Sequence, residues 1–425
     1  TGTHNMSRLL IACLPVFAVL SGSSLFTTAD AARPPGDAEL ASLDLEVAWT
    51  AQAVLDRNRS KIRHVANDEE QVYVQSTSGV VTAFNAETGR RMWARLVGRN
   101  DDFAMRAVSN SELLVIVTGP VAWGLDKFTG DEKFRYRLKH IPTAPPAVEE
   151  AAIYFPLGDG AVWGYALQTL IHLDRYDTLP PGIARPHLWR FACNERVFHA
   201  PIATEDVVAF SSRSKNLHSL SASGSSYYQE YLNAPASAPM ALDLSGERRH
   251  ILLVTEKGNL FSFDLTRGTL TWDVPVERRV TQKPLIVGDQ VYVVTEGQGV
   301  YCVSTSLGNY VEVETDDGTR DRWHVPGVES LVGVAGEHVY GVDRNQRLLA
   351  MRRDNSVVSG RTAAGGYTIH HQNSATDRLY LSSEAGELLC LKPRGSDFAV
   401  YHQRPENQPL NVDVPINEPE DAGDE

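Results

Sequence analysis

The sequence predicts an all-β fold, an eight-bladed β-propeller of four-stranded antiparallel blades, and three observations carry that expectation. The stretch 72–97, VYVQSTSGVVTAFNAETGRRMWARLV, alternates apolar and polar residues between turns at Gly79 and Gly89 and ends on a strand bearing Trp93. Period-two alternation between glycine turns reads as antiparallel strands that each bury one face. A small residue in register with Ala83 recurs at Gly124, Gly164, Ser219, Ser262, Cys302, Ala350 and Cys390, mostly at steps of ~40 residues, the period of a four-stranded blade. Finally, 45–52 presents an outer-strand Trp49 with no blade of its own ahead of it, so this strand is expected to close the ring on the last repeat. The segment 398–401 is the competing source of that strand.

Residues 1–31 are expected to be a secretory signal with a few preceding residues. Met6-Ser7-Arg8 is followed by an apolar run over 9–20 and then by Ala29-Asp30-Ala31, a small-residue cleavage pattern. The run is shorter than the ~20 residues that span a bilayer, so no membrane span is expected. Leu10-Ile11-Ala12-Cys13 superficially resembles a lipoprotein box, but the apolar run continues past Cys13 and too little precedes it, so lipid anchoring is not expected. Residues 32–44 read as a linker bearing Pro and Ala, 45–401 as the propeller, and 402–425 as an acidic, Pro-rich tail expected to be disordered.

Within the propeller the first turn glycine recurs at Gly160, Gly258 and Gly386, and the second at Gly130, Gly268 and Gly308. An aromatic follows the second glycine by four in several copies, at Trp93, Phe134 and Trp272, and at Tyr228 after Gly224. Pro145, Pro201, Pro239 and Pro284 introduce innermost strands, where no ladder donor is yet needed. The spacing breaks twice. An insertion over 167–187 reads as a helical turn and a loop, and a second over 310–325 reads as a hairpin around Asp316-Asp317-Gly318. Both follow a third strand, so both are expected on one face of the disc, where another protein could dock and an extended peptide could add to the hairpin edge.

Composition narrows the function. A formal net charge of −13 argues against nucleic acid, which demands a basic surface. Of the four cysteines, Cys302 and Cys390 occupy the small-residue slot two blades apart, beyond the ~5.5 Å Cα spacing of a disulfide, and Cys193 has no partner. Neither a phosphate loop, a nucleophile elbow nor an H-E-x-x-H motif occurs, and Asp316-Asp317-Gly318 lacks the alternating oxygen ligands of a calcium loop. No catalytic residue, metal ligand or cofactor is therefore assigned.

The pattern VYV-x4-G-x3-A-x5-G-x3-W resembles the pyrroloquinoline-quinone-type propeller repeat. The layout of 45–401 is similar to the eight-bladed accessory lipoprotein of the bacterial outer-membrane barrel-assembly machine. That resemblance implies an exported, monomeric, non-enzymatic scaffold whose partner is another envelope protein. Quinoprotein dehydrogenases share the repeat but are known for a vicinal cysteine pair, which this chain lacks, and no C-x-x-C-H haem motif is present. A ligand-sensing propeller is the third reading.

One constellation points to binding. His64, Arg106, His199, Lys283 and His371, with His370 adjacent, stand seven to nine residues ahead of successive blade motifs, on the expected innermost strands. Those strands surround the central channel, so cationic and imidazole groups from several blades are expected near one mouth, as a site for an anion or an acidic partner.

Overall fold

The computed structural model describes Thr1 and residues 32–402, apart from 57–58, 100–101, 246–247 and 315–317. The expected signal segment with Cys13, most of the acidic tail, and Asp316-Asp317 lie outside the described residues. Eight four-stranded antiparallel sheets follow one another along the chain as blades: 62–96, 108–137, 147–192, 202–231, 241–275, 285–325, 328–363, and 369–393 completed by Leu45–Gln52. In each blade the first strand is innermost and the fourth outermost.

Burial follows position in the blade. Second strands such as Leu113–Thr118 (LLVIVT) are buried along their whole length, because both faces meet neighbouring blades. Outer strands such as Arg91–Leu96 bury only alternate residues. The core is correspondingly divided into eight apolar clusters, each straddling one pair of successive blades, and the eighth joins the last blade to the first.

An aromatic wedge links the blades. Trp93 lies opposite Ala83 of its own sheet and donates its indole N–H to the Lys127 carbonyl of the next blade at 2.8 Å. Trp49, Trp189, Trp272 and Trp323 make the same bond to Ala86, Ala222, Thr305 and Arg352 at 2.8–3.0 Å, and the Tyr228 hydroxyl reaches Asp264 at 3.3 Å. On one side the ring needs a small partner: a Cβ added at Gly164 would lie 2.7 Å from Trp189. On the other it presses on the turn glycine of the next blade, so that a Cβ at Gly308 would lie 2.2 Å from Trp272. Trp189 and Trp323 escape the four-residue rule because the two insertions delay them.

Two interfaces lack this hydrogen-bonded wedge, and each carries an extra segment. Between blades 2 and 3 the wedge is Phe134, and the insertion forms the helix Leu167–Tyr176, which adds buried Leu167 and Leu170 to the cluster. Between blades 7 and 8 the outer strand offers Gly360 in place of an aromatic. There residues 32–44, far from a free linker, fold into a short helix Asp37–Ala41 and bury Leu40 and Leu43. The Tyr340 hydroxyl donates to the Leu43 carbonyl at 2.7 Å, and a Cβ at Gly360 would lie 2.5 Å from the Ser42 oxygen.

The ring closes as expected. Leu45–Gln52 pairs antiparallel with Glu387–Pro393, Trp49 lies opposite Cys390, and the rival segment contributes only a single bridge from Tyr401 to Thr376. Cys193, Cys302 and Cys390 are free and buried, and burial pushes all three thiols up, Cys193 and Cys302 to about 12. They act as small apolar residues.

Three outcomes follow from this packing. Trp272→Ala is expected to cost ~3–5 kcal/mol, and Gly308→Ala, at φ +63° against the indole, should also destabilise. In the Trp272→Ala background the steric part of the Gly308→Ala cost should vanish, leaving the ~1–2 kcal/mol of the left-handed backbone, and strictly additive denaturation midpoints would sink the wedge account. Removal of residues up to Gln52 strips the outer strand from blade 8, so the chain is expected to self-associate on size exclusion and to melt lower; a monomer of unchanged melting temperature would contradict this. His218, packed between Phe191 and Phe210 with neither ring nitrogen bonded, is lowered by burial from 6.5 to about 4. The unfolded chain therefore takes up a proton that the folded chain refuses, and stability is lost as pH falls from 6.5 toward 4. His218→Phe should flatten that slope by up to one proton, ~1.4 kcal/mol per pH unit, in urea melts across the window.

Candidate functional site

The pairing register fixes the height of each innermost residue in the ring. Ala66, Val108, Leu285 and His371 pair with Tyr73, Val115, Tyr292 and Tyr380, which in turn lie opposite the repeated small residues Ala83, Gly124, Cys302 and Cys390. Two residues ahead of Ala66, Val108 and Leu285 stand His64, Arg106 and Lys283; Arg106 and Lys283 precede the paired residues Val108–Ser109 and Leu285–Val287, and the register shifts between those pairs and the bridges of Ala104 with Thr118 and Val280 with Thr295. Blades 2 and 6 are opposite each other in a ring of eight, which places Arg106 and Lys283 on facing sides of the channel.

Their electrostatics agree with this convergence. Burial lowers the pKa of Lys283, and the Arg106 charge lowers it further; Arg106 also acts on His64 and His371. Among the described residues no carboxylate pairs with Arg106 or Lys283. His371 is only 7% exposed, and burial followed by the Arg106 charge lowers it to about 3. Its Nε2 lies 2.6 Å from the Asn67 side-chain oxygen, while the Asn67 amide donates to Asn373 at 2.9 Å. The imidazole therefore donates through Nε2, and its buried Nδ1 has no partner. Gln372 reaches over blade 7 to donate to the Lys283 carbonyl at 2.9 Å, and Gln282 exchanges two hydrogen bonds of 2.8 Å with the Leu331 backbone.

Two of the six expected residues lie apart from Arg106. His199 lies 3.3 Å from the Ala236 carbonyl, as His64 lies 3.0 Å from the Ala104 carbonyl, each at a bridge residue of the next blade, and the cation that acts on His199 is Arg279. His370 lies 3.0 Å from the Tyr367 carbonyl, turned from His371 by strand alternation.

These residues lie toward the mouth where outer strands connect to the next blade, opposite the face from which the insertions leave: Lys283 is close to the bridge of Val280 with Thr295, and several residues from the Val287–Gln290 end of its strand pair. Three consecutive connections at this mouth expose a bulky apolar side chain, Phe103 at 65%, Ile141 at 58% and Phe198 at 48%, the last with Arg213 over its ring at 5.8 Å. Sequence reasoning passed over them because connections carry no period; the available signal was a large apolar residue shortly before an innermost strand.

The insertions leave on a single face, as expected, but both also serve packing. The Asp174 carboxylate at the helix end accepts the Arg135 amide of blade 2 at 3.0 Å. The hairpin pairs Glu312–Glu314 with Arg320–Arg322 and buries Val313 beside Trp323. A cavity of about 610 Å³ beside the outer strand of blade 3 is lined by Trp163, Tyr165, His187, Lys139 and Arg190. Among the described residues no group of three or more His, Cys, Asp or Glu side chains could hold a metal ion, and no helix is long and apolar enough to cross a membrane.

Comparison with known proteins agrees with this architecture. No curated protein matches the sequence. The crystal structure of BamB from Moraxella catarrhalis superposes with a TM-score of 0.62 at 16% identity, covering 83% of this chain and 98% of that one. The computationally designed Ika8 protein superposes with a TM-score of 0.57 at 13% identity, covering 80% and 98%. At these identities the likeness shows the fold. The family model described as outer membrane protein assembly factor BamB matches residues 78–177 and 186–362, leaving the loop after the blade 3 helix unmatched. A match over more than half of its length shows that the chain belongs to the family of the outer membrane protein assembly factor BamB.

Proposed function

We propose that this chain is a non-enzymatic scaffold exported to the cell envelope, and that another envelope protein docks on the channel mouth rimmed by Phe103, Ile141 and Phe198. The observation that carries the docking site is the run of three bulky apolar side chains in consecutive connections, each about half exposed or more. Bulky apolar side chains exposed on successive connections of one rim mark a surface suited to a partner. Cations set just inside the same mouth would favour an acidic or carbonyl-rich partner segment and speed encounter. Family membership supports the coarse role, a propeller that meets other envelope proteins. The monomeric state and the absence of a cofactor belong to the same reading, in which the ring is a rigid platform and the connections carry specificity.

The test is crosslinking in the cell envelope followed by recovery of the chain. Phe103→Ser, Ile141→Ser and Phe198→Ser together should leave the melting temperature within a few degrees, since the three side chains are exposed, yet remove the crosslinked partner. A parallel variant, Tyr176→Ser with Ile183→Ser, changes the face of the insertions and should retain it. Retention by the first variant and loss by the second would move the interface to the opposite side of the disc.

A further inference from the structure

We propose that the cleft on the outer side of the disc between blades 2 and 3 is a binding site for a small aromatic carboxylate. The cleft has a volume of about 610 Å³, and aromatic rings line it, Trp163 and Tyr165 from the third strand of blade 3 and Tyr136 from the outer strand of blade 2. Tyr136 and Tyr165 stand 5.4 Å apart, and the His187 imidazole meets Trp163 edge to face at 4.8 Å. Three cations complete the lining: Lys139 after blade 2, Arg185 at the end of the loop that follows the helix, and Arg190 of the blade 3 outer strand. The Lys139 ammonium and the Arg190 guanidinium lie 5.5 Å and 5.7 Å from the centre of the Trp163 rings, so one indole gathers both charges.

The charge at this place is unbalanced. Arg190 pairs with Asp159 at 3.0 Å, and the same carboxylate accepts the Trp163 indole N–H at 3.2 Å, so that acid is already engaged. Among the described residues no Asp or Glu lines the cleft itself, in a chain whose net charge is −13, and no carboxylate pairs with Lys139 or Arg185. The ligand class follows from this set of groups. A bare anion would leave the rings without a partner, and a neutral aromatic would leave two cations without one. A flat ring packs edge to face or offset on such aromatics, while its carboxylate reaches the guanidinium fork and the ammonium. The volume lies within the ~300–1,000 Å³ of small-molecule sites. The family pattern skips residues 178–185, so the wall that carries Arg185 is this chain's own addition.

The probe is 2-naphthoate, with 2-naphthamide as its neutral counterpart and acetate as the bare carboxylate, each added to the purified full chain at constant ionic strength. Melting temperature should rise with naphthoate along a single-site linkage curve, and the other two should bind at least tenfold more weakly. Lys139→Gln with Arg185→Gln changes two exposed side chains, so it should melt within a few degrees of the parent and lose at least tenfold in naphthoate affinity. His187 supplies a second readout. It faces Lys139 and Arg185, the Trp163 and Tyr165 rings, and the Arg190–Asp159 pair across the indole. Burial, then the Arg185 and Lys139 charges, lower its pKa, so a carboxylate seated beside them should raise it in imidazole nitrogen NMR spectra. Undiminished affinity in the double variant, or equal affinity for naphthamide, would show adhesion to rings alone and overturn the proposal. Acetate binding as tightly as naphthoate would reduce the cleft to an anion site and overturn it too, as would an unmoved His187 at saturation. None of these readouts involves a protein partner, so the docking mouth and this cleft stand or fall separately.

Discussion

The fold rests on one contact, the outer-strand aromatic ring clamped between a small residue of its own blade and a turn glycine of the next. A tryptophan in that position buries ~200 Å², worth about 5 kcal/mol of transfer free energy as an upper figure, and its N–H adds one directional bond to a carbonyl. The apolar area supplies adhesion, and the indole N–H fixes the angle between blades. Both neighbours must lack bulk, which explains why Ala83, Gly124, Gly164, Ser219, Ser262, Cys302, Ala350 and Cys390 form a series with no common chemistry apart from small size. The Cys390 thiol belongs to this steric series, and its burial keeps it protonated and inert.

This constraint also explains how far the sequence could be read. Blade number, strand order and ring closure were legible because the wedge repeats in register, and because Trp49 stood without a blade. Trp189 and Trp323 were not recognised as wedges, since distance from the preceding glycine was the ruler and the insertions stretched it. The inward cluster was partly legible. The Arg106 charge reaches His64, Lys283 and His371, while the cation beside His199 is Arg279 and His370 turns to the Tyr367 carbonyl. The apolar rim was invisible, because Phe103, Ile141 and Phe198 lie in connections whose exposure only the assembled ring determines.

The two interfaces without a hydrogen-bonded wedge show how the ring tolerates exceptions. Where Phe134 brings no N–H, a helix from the third blade lies across the second and supplies the missing area. Where Gly360 brings no ring at all, the segment ahead of the first strand fills the gap with Leu40 and Leu43. An insertion in this protein is thus structural on its inner side and variable on its outer side. The loop 178–185, which the family pattern skips, begins directly after the helix that braces the joint.

The pairing of Leu45–Gln52 with Glu387–Pro393 joins the first and last strands of the propeller, and it bears on the order of events during folding. Contacts between distant residues form late, because the loop between them must first be ordered. A chain delivered from its N-terminus exposes this apolar strand first, yet its partner arrives last, after more than three hundred intervening residues have been delivered. Blades 1 to 7 can stack one upon another as they emerge. The seam stays open until the end, so the first strand to appear remains exposed to mispairing for as long as its partner is missing.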